Sequence, residues 1–335
     1  MVCKARPIIF AAVIAQLIQI VLSIPEKSKA TNILFIMYDD LRPELSPYGM
    51  DYMITPNFQR LAQRSVIFDN AYCQIAVCNP SRDSMLTGLR PDRVGTLNFE
   101  WTYRFSSLLT LPSLLKTSGY KTAVYGKVLH YELTDSNVWD YHNELNTKWY
   151  QYQNYEREIM NSTTMPDRKS PESSFKDHII TSLAIERLED FAKSNESFLL
   201  GVGFKLPHLA MHVPYSSYKV YKDKGELFKR EKSERQLPKS IPGIAYRCCA
   251  DQFKYMNDEG ALSANRSILL DRNIDFAVPQ DMYTELMIGY ASGIHFVDKQ
   301  LGRLLDTIDK LHLWNNLTIV LTADHGMLNG EKGMW

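Results

Sequence analysis

The chain has 335 residues, 45% of them hydrophobic, which is enough for a full apolar core. Its 38 basic residues balance 38 acidic ones, so composition gives no sign of a nucleic-acid-binding protein, and no basic run marks a heparin-type patch. Any anionic partner must therefore be held by a local site.

The N-terminus carries Lys4 and Arg6, an apolar run from Ile8 to Leu22 broken only by Gln16 and Gln19, and then Ser23. Charge, apolar stretch and small residue in that order predict a secretory signal peptide over residues 1–23. A spanning helix needs ~20 apolar residues and this run is shorter, so no stable membrane anchor is expected. Asn-x-Ser/Thr sequons at Asn161, Asn195, Asn265 and Asn316 agree with passage through the secretory pathway. The mature chain would keep Cys73, Cys78, Cys248 and Cys249, so disulfides are not expected to be the main support of the fold.

Short apolar or β-branched runs predict buried strands over Asn32–Tyr38, Lys121–Tyr125, Ser197–Gly203 and Leu317–Thr322. Thr55-Pro56 reads as the N-cap and first residue of a helix reaching Arg64. A helix starting near Pro80 and ending near Gly88 would set residue 78 at the positive end of its dipole. Phe175–Lys193 is amphipathic, as is Gln280–Leu311, although Gly289, Gly293 and Gly302 weaken the case for one unbroken rod there. The polar stretches at 135–172 and 215–244 read as long surface excursions.

Strands alternating with helices predict an α/β fold, a mostly parallel central sheet flanked by helices. Ligands of such sheets gather outside the carboxyl ends of the strands. The first strand runs into Asp39-Asp40, the second into Lys127 and His130, the third into Lys205 and His208, and the fourth into Asp324-His325. Carboxylates there suit Ca²⁺ or Mg²⁺ while His325 suits a transition metal, so spacing alone leaves the ion open. A histidine can protonate a leaving alkoxide, and a lysine can stabilise charge on a transferred group. Cys78 read by itself is equally an activated thiolate.

Cys78-Asn79-Pro80-Ser81-Arg82 resembles the signature in which a Cys-x-Pro-x-Arg core directs oxidation of the cysteine to formylglycine. With Asp39-Asp40-Leu41-Arg42-Pro43, Gly88-Leu89-Arg90-Pro91-Asp92, Gly126-Lys127-Val128-Leu129-His130, Pro207-His208 and Asp324-His325-Gly326 in order, the chain is similar to the type I sulfatases of the alkaline phosphatase superfamily. That resemblance implies a sulfuric ester hydrolase of the alkaline-phosphatase-like sulfatase fold, lysosomal or secreted, acting on sulfated carbohydrate such as glycosaminoglycan. It implies that Asp39, Asp40, Asp324 and His325 hold one Ca²⁺ together with formylglycine 78, made by a formylglycine-generating enzyme. Arg82 would orient the aldehyde hydrate, and Lys127, His130 and His208 would bind sulfate and assist the leaving alcohol.

Departures from the family pattern are Asn79, where a smaller residue is usual, and Leu206, where a lysine usually precedes the proline of Pro207-His208. Lys205 is displaced by one residue, which turns a side chain to the opposite face of an extended segment. Members of the family also continue past this chain's last residue with another lysine and a smaller C-terminal subdomain. The expectation is therefore a catalytic domain over 24–335, incomplete at its C-terminus. Two other readings stand beside it: a phosphate or phosphonate ester hydrolase, which would use Thr or Ser with zinc, and a glycan-binding protein that turns nothing over.

Overall fold

A computed structural model describes residues 31–97, 108–130, 136–142, 164–194, 196–229 and 280–331. The predicted signal peptide, the sequons at Asn161, Asn195 and Asn265, and Cys248 and Cys249 lie outside the described residues. Among the described residues no helix is long and apolar enough to cross a membrane.

The main sheet is built from strands β1 (Asn32–Asp39), β2 (Lys121–Gly126), β3 (Tyr141–His142), β5 (Phe198–Pro207) and β7 (Leu317–Ala323), in the order β3-β2-β5-β1-β7. Every pairing in it is parallel. A second, 2-stranded sheet pairs β4 (Thr164–Asp167) with β6 (Met211–Pro214), so regular structure enters both stretches that read as surface excursions or border on them.

Side chains alternate across a strand, and here each face buries its own set. Leu34, Ile36 and Tyr38 of β1 join Ala123, Tyr125, Leu200, Val202 and Phe204 in the larger core. The helices Lys176–Lys193 and Gln280–Lys310 cover that face. Phe35 and Met37 point the other way, into a cluster with Val124, Val128, Leu199 and Leu86 of the helix Cys78–Thr87. Burial on both faces is why β1 and β5 read as continuous apolar runs.

The longer helices, labelled in chain order, are α1 (Pro56–Ala62), α2 (Cys78–Thr87), α3 (Leu111–Thr117), α4 (Lys176–Lys193) and α5 (Gln280–Lys310). In α1 the expected Thr55 cap is replaced. Thr55 Oγ1 accepts from Ser46 N, while Asp298 of α5 accepts from Asn57 N and Phe58 N at 3.0 and 2.9 Å. The helix also stops at Ala62, short of Arg64. In α5 the glycines do not break the rod, and at two of them another chain segment comes close. A Cβ at Gly302 would lie 2.7 Å from Asn57 Oδ1, and one at Gly293 would touch Leu206 and Pro207.

β2 and β5 converge where both residues are glycine. A Cβ at Gly126 would sit 2.0 Å from Gly203 O, and one at Gly203 would sit 2.1 Å from Lys127 C. Gly126 also takes φ +76°, a left-handed turn that glycine adopts without steric cost. This close approach lets Lys127 N donate to Gly203 O at 2.8 Å and turns the chain toward the α2 face.

Candidate active site

Continuing the β1 alternation puts Asp39 on the α2 side, wholly buried. Asp40 follows with φ +62°, left-handed for a non-glycine residue, which costs about 1–2 kcal/mol. It is held there by its N–H donating to Asp324 Oδ1 at 3.1 Å and by its carbonyl accepting from Tyr290 Oη at 2.8 Å. Asp324 comes from the end of β7, next to β1 in the sheet. Its Oδ1 also accepts His325 N at 2.9 Å.

Cys78 is the first residue of α2, after extended Val77, and Gly88 in the left-handed conformation ends that helix. The thiol is 5% exposed, with Sγ 3.2 Å from His325 Nε2 and 4.0 Å from Asp40 Oδ1. Burial pushes its pKa far up; Lys127 opposes this and Asp39, Asp40 and Asp324 add to it. A helix N-terminus beneath residue 78 favours negative charge gathering there.

Arg82, one turn further on and fully buried, joins the ends of three strands. Its Nε donates to Asp324 Oδ2 at 2.9 Å, Nη2 to Asp39 Oδ1 at 2.8 Å, and Nη1 to the carbonyls of Lys127 and Val128. Lys127 Nζ donates to Asp39 Oδ2. Burial alone would raise the Asp39 carboxyl, but Lys127, His208 and Arg82 outweigh it and hold the group well below the usual range. Asp40 is shifted upward, because burial, reinforced by Asp39 and Asp324, wins over His208 and His325.

The histidines differ in setting. His208 and His325 each direct Nδ1 at a backbone carbonyl, Leu209 O and Gly326 O. A carbonyl only accepts, so Nδ1 carries a proton in both rings and Nε2 faces the site. Nε2 of His208 lies 3.8 Å from Asp40 Oδ2 and 4.0 Å from Asp39 Oδ2; Nε2 of His325 lies 3.4 Å from Asp40 Oδ1 and 3.9 Å from Asp324 Oδ2. His130 is pushed down to about 2 by burial and by Lys127, so its ring stays neutral at working pH.

Ligand atoms of Asp40, Cys78 and His325 lie within 4.8 Å of one another, as do those of Asp39, Cys78 and Asp324. Arg82 and Lys127 pair with Asp39 and Asp324, whereas Asp40 is a buried carboxyl shifted upward; a bound cation relieves that situation. The donor set thus fits a divalent ion.

All nine residues singled out from the sequence meet on this rim: Asp39, Asp40, Cys78, Arg82, Lys127, His130, His208, Asp324 and His325. At the departing position, Leu206 is buried in the larger core, against Gly293 of α5. Lys205 is buried as well; its N–H and that of Leu206 donate to Asp177, a buried carboxylate that also senses the Lys205 charge.

Sequence reasoning gave no role to Ser81, whose hydroxyl donates to Asp324 O, or to Arg42 and Tyr290. Ser81 and Arg42 were visible as neighbours of the motif residues. Tyr290 carries no such signal, since an aromatic on the apolar face of a helix reads as core.

The family profile described as Sulfatase matches residues 31–334. The chain is 32% identical to iduronate 2-sulfatase of Mus musculus and 31% to that of Homo sapiens, each over 322 residues. These alignments cover 91% of this chain and 56% of each relative, so the chain spans little more than half the length of those proteins. Among solved structures, one in complex with its substrate D-glucosamine-2-N,6-O-disulfate superposes with TM-score 0.64 at 23% identity, covering 91% of this chain and 67% of that one. The phosphonate monoester hydrolase of Agrobacterium radiobacter superposes with TM-score 0.60 at 16% identity, covering 91% and 64%. Both likenesses show the α/β fold alone, whereas the profile spans the chain from residue 31 to residue 334, and on that ground the chain belongs to the sulfatase family.

Proposed function

We propose that the chain is the catalytic domain of a sulfuric ester hydrolase acting on a sulfated sugar, with residue 78 as formylglycine and one divalent ion beside it. The observation that carries this is the position of Cys78: the cysteine of a Cys-x-Pro-x-Arg core, first in a helix and ringed by three carboxylates and an imidazole within ligand distance. Oxidised to the aldehyde and hydrated, residue 78 supplies a geminal diol, one hydroxyl to attack sulfur and the other to expel the sulfate. Asp39, Asp40, Asp324 and His325 would hold the ion, which supplies Lewis-acid polarisation of bound oxygens. The oxygen-rich set, joined to the family likeness, favours calcium.

The side chains divide the remaining work. Arg82 holds Asp39 and Asp324 at hydrogen-bond distance and so orients both carboxylates. Lys127 places positive charge beside residue 78, where a sulfuryl group gathers negative charge during transfer. His130 is neutral, so it serves as a hydrogen-bond donor to a sulfate oxygen rather than as the proton source. His208, half-buried with Nδ1 tied to Leu209 O, turns Nε2 toward the site and is the residue to assist the leaving alcohol oxygen.

For substrate, the iduronate 2-sulfatases among the relatives favour a 2-sulfated uronic acid of a glycosaminoglycan. Such a substrate, with a signal peptide and sequons, fits a lysosomal or secreted protein. The test is co-expression with a formylglycine-generating enzyme, peptide mass mapping across residue 78, and assay of matched sulfate, phosphate and phosphonate esters. An aldehyde at 78 with sulfate release is expected. An intact thiol under those conditions, or turnover of the phosphorus esters alone, overturns the proposal.

A further inference from the structure

Asp40 reaches its ligand position only through a left-handed backbone, and one of the two contacts that hold it there comes from outside the motif. Tyr290, fully buried on α5, accepts from Arg42 N at 3.0 Å and donates to Asp40 O at 2.8 Å, so a single hydroxyl closes the turn 39–42. From the same turn, the Arg42 guanidinium reaches across to the segment that follows His325. Nη1 donates to Met327 O and Leu328 O, both at 3.2 Å, and Nη2 to Glu331 Oε1 at 3.0 Å. Gly326 makes this crossing possible, since a Cβ there would lie 2.9 Å from Arg42 Cβ.

The carboxylate of Asp40 and the imidazole of His325 stand on separate strand ends, β1 and β7. The sheet sets where those strands run, but it does not set the conformation of the residues just beyond them. We propose that Tyr290 and Arg42 are positioning residues that fix the spacing between Asp40 and the Asp324-His325 pair, so that the cation site is preformed before the ion arrives. This rests on the metal reading given above. Tyr290 acts through Asp40, Arg42 through the backbone behind His325, and neither is placed against the ion or the sugar.

The geometry also separates positioning from ordinary core packing. Tyr290→Phe keeps the ring and its volume and removes only the atom that bridges Arg42 N and Asp40 O. Arg42→Gln leaves that bridge in place and removes the cross-strand tie, together with the ion pair from Nε to buried Glu44 at 3.5 Å. Tyr38→Phe is the control, for Tyr38 is equally buried and its hydroxyl has no hydrogen-bond partner among the described residues.

The experiment is calcium titration of the full 335-residue chain by calorimetry, with the calcium-dependent rise in Tm measured in parallel. Loss of a group that orients a metal ligand weakens metal affinity about 10- to 100-fold. We expect losses of that order for Tyr290→Phe and Arg42→Gln, a smaller calcium-induced rise in Tm for both, and wild-type affinity for Tyr38→Phe. Wild-type calcium affinity in either variant overturns the role of that residue, even if its calcium-free Tm has fallen. Failure of the wild-type chain to bind calcium overturns the metal reading itself and this proposal with it. Binding without sulfate release leaves the positioning role standing and strikes only the proposed activity.

Discussion

At the scale of single residues, Arg82 shows how much of the site is electrostatic scaffolding. Asp39, Asp324 and Arg82 are all fully buried, and two salt bridges, at 2.8 and 2.9 Å, satisfy the guanidinium and both carboxylates at once. Removing one partner of such a group leaves charge buried and uncompensated, which typically costs about 3–5 kcal/mol. Arg82→Met should therefore destabilise the chain by roughly that amount when unfolding by denaturant is followed with a chelator present, so that no cation substitutes for the lost charge. A loss below about 1 kcal/mol would mean that the carboxylates accept protons or water at little expense, against the reading of Arg82 as their keeper. Arg82→Lys should recover little, because one ammonium cannot reproduce the fork that serves Asp39, Asp324 and two carbonyls together.

At the scale of elements, the connection between α1 and α5 is the clearest pH-sensitive joint. Asp298 on α5 accepts from Asn57 N, Asn57 Nδ2 and Phe58 N, and so caps α1 from 241 residues away. Burial pushes its pKa from 3.8 to about 6, with those hydrogen bonds opposing the rise. An acid whose folded pKa lies above its unfolded value keeps its proton longer in the folded chain. The folded state then binds more protons between the two values, and stability falls as pH rises through that interval. Relative to Asp298→Asn, the wild-type chain should lose up to about 3 kcal/mol between pH 4 and 6, read from urea unfolding at several pH values. Parallel stability curves would refute this. The same joint marks what sequence reading can reach. The strands were legible because burial on both faces leaves unbroken apolar runs, and the site was legible because a parallel sheet gathers the polar residues that follow those runs. Thr55 looked like a cap because local chemistry suits it, yet a carboxylate on a distant helix takes that role, and no local pattern encodes such a contact. Tyr290 was hidden for the same reason. The α5 glycines were misleading because helix propensity counts only their cost, whereas at Gly302 a side chain would run into Asn57.

At the scale of the whole molecule, the two sides of the sheet centre are unequal. β1 and β5 have strands on both sides and are almost wholly buried, whereas β7 pairs with β1 alone among the described residues and is largely half-buried or exposed, Val320 to 40%. Residues 63–77 lead from near Arg64, stacked 4.5 Å over the Trp314 ring ahead of β7, to Cys78, close to Asp324 behind it. This strip is almost entirely exposed and carries Val66 at 79%, Phe68 at 70% and Tyr72 at 86%. A strand edge with unpaired backbone groups beside a row of open apolar side chains is a template for pairing with another chain. The balanced charge of the sequence adds little repulsion to oppose that. The 335-residue chain should therefore self-associate as its concentration rises through the micromolar range, measured by light scattering after size exclusion. Val320→Lys combined with Phe68→Ser and Tyr72→Ser should shift it toward monomer without altering calcium affinity, because none of these residues contributes to the ligand set. A wild-type chain that stays monomeric throughout, or a triple variant that associates as strongly, would show that this edge is already protected.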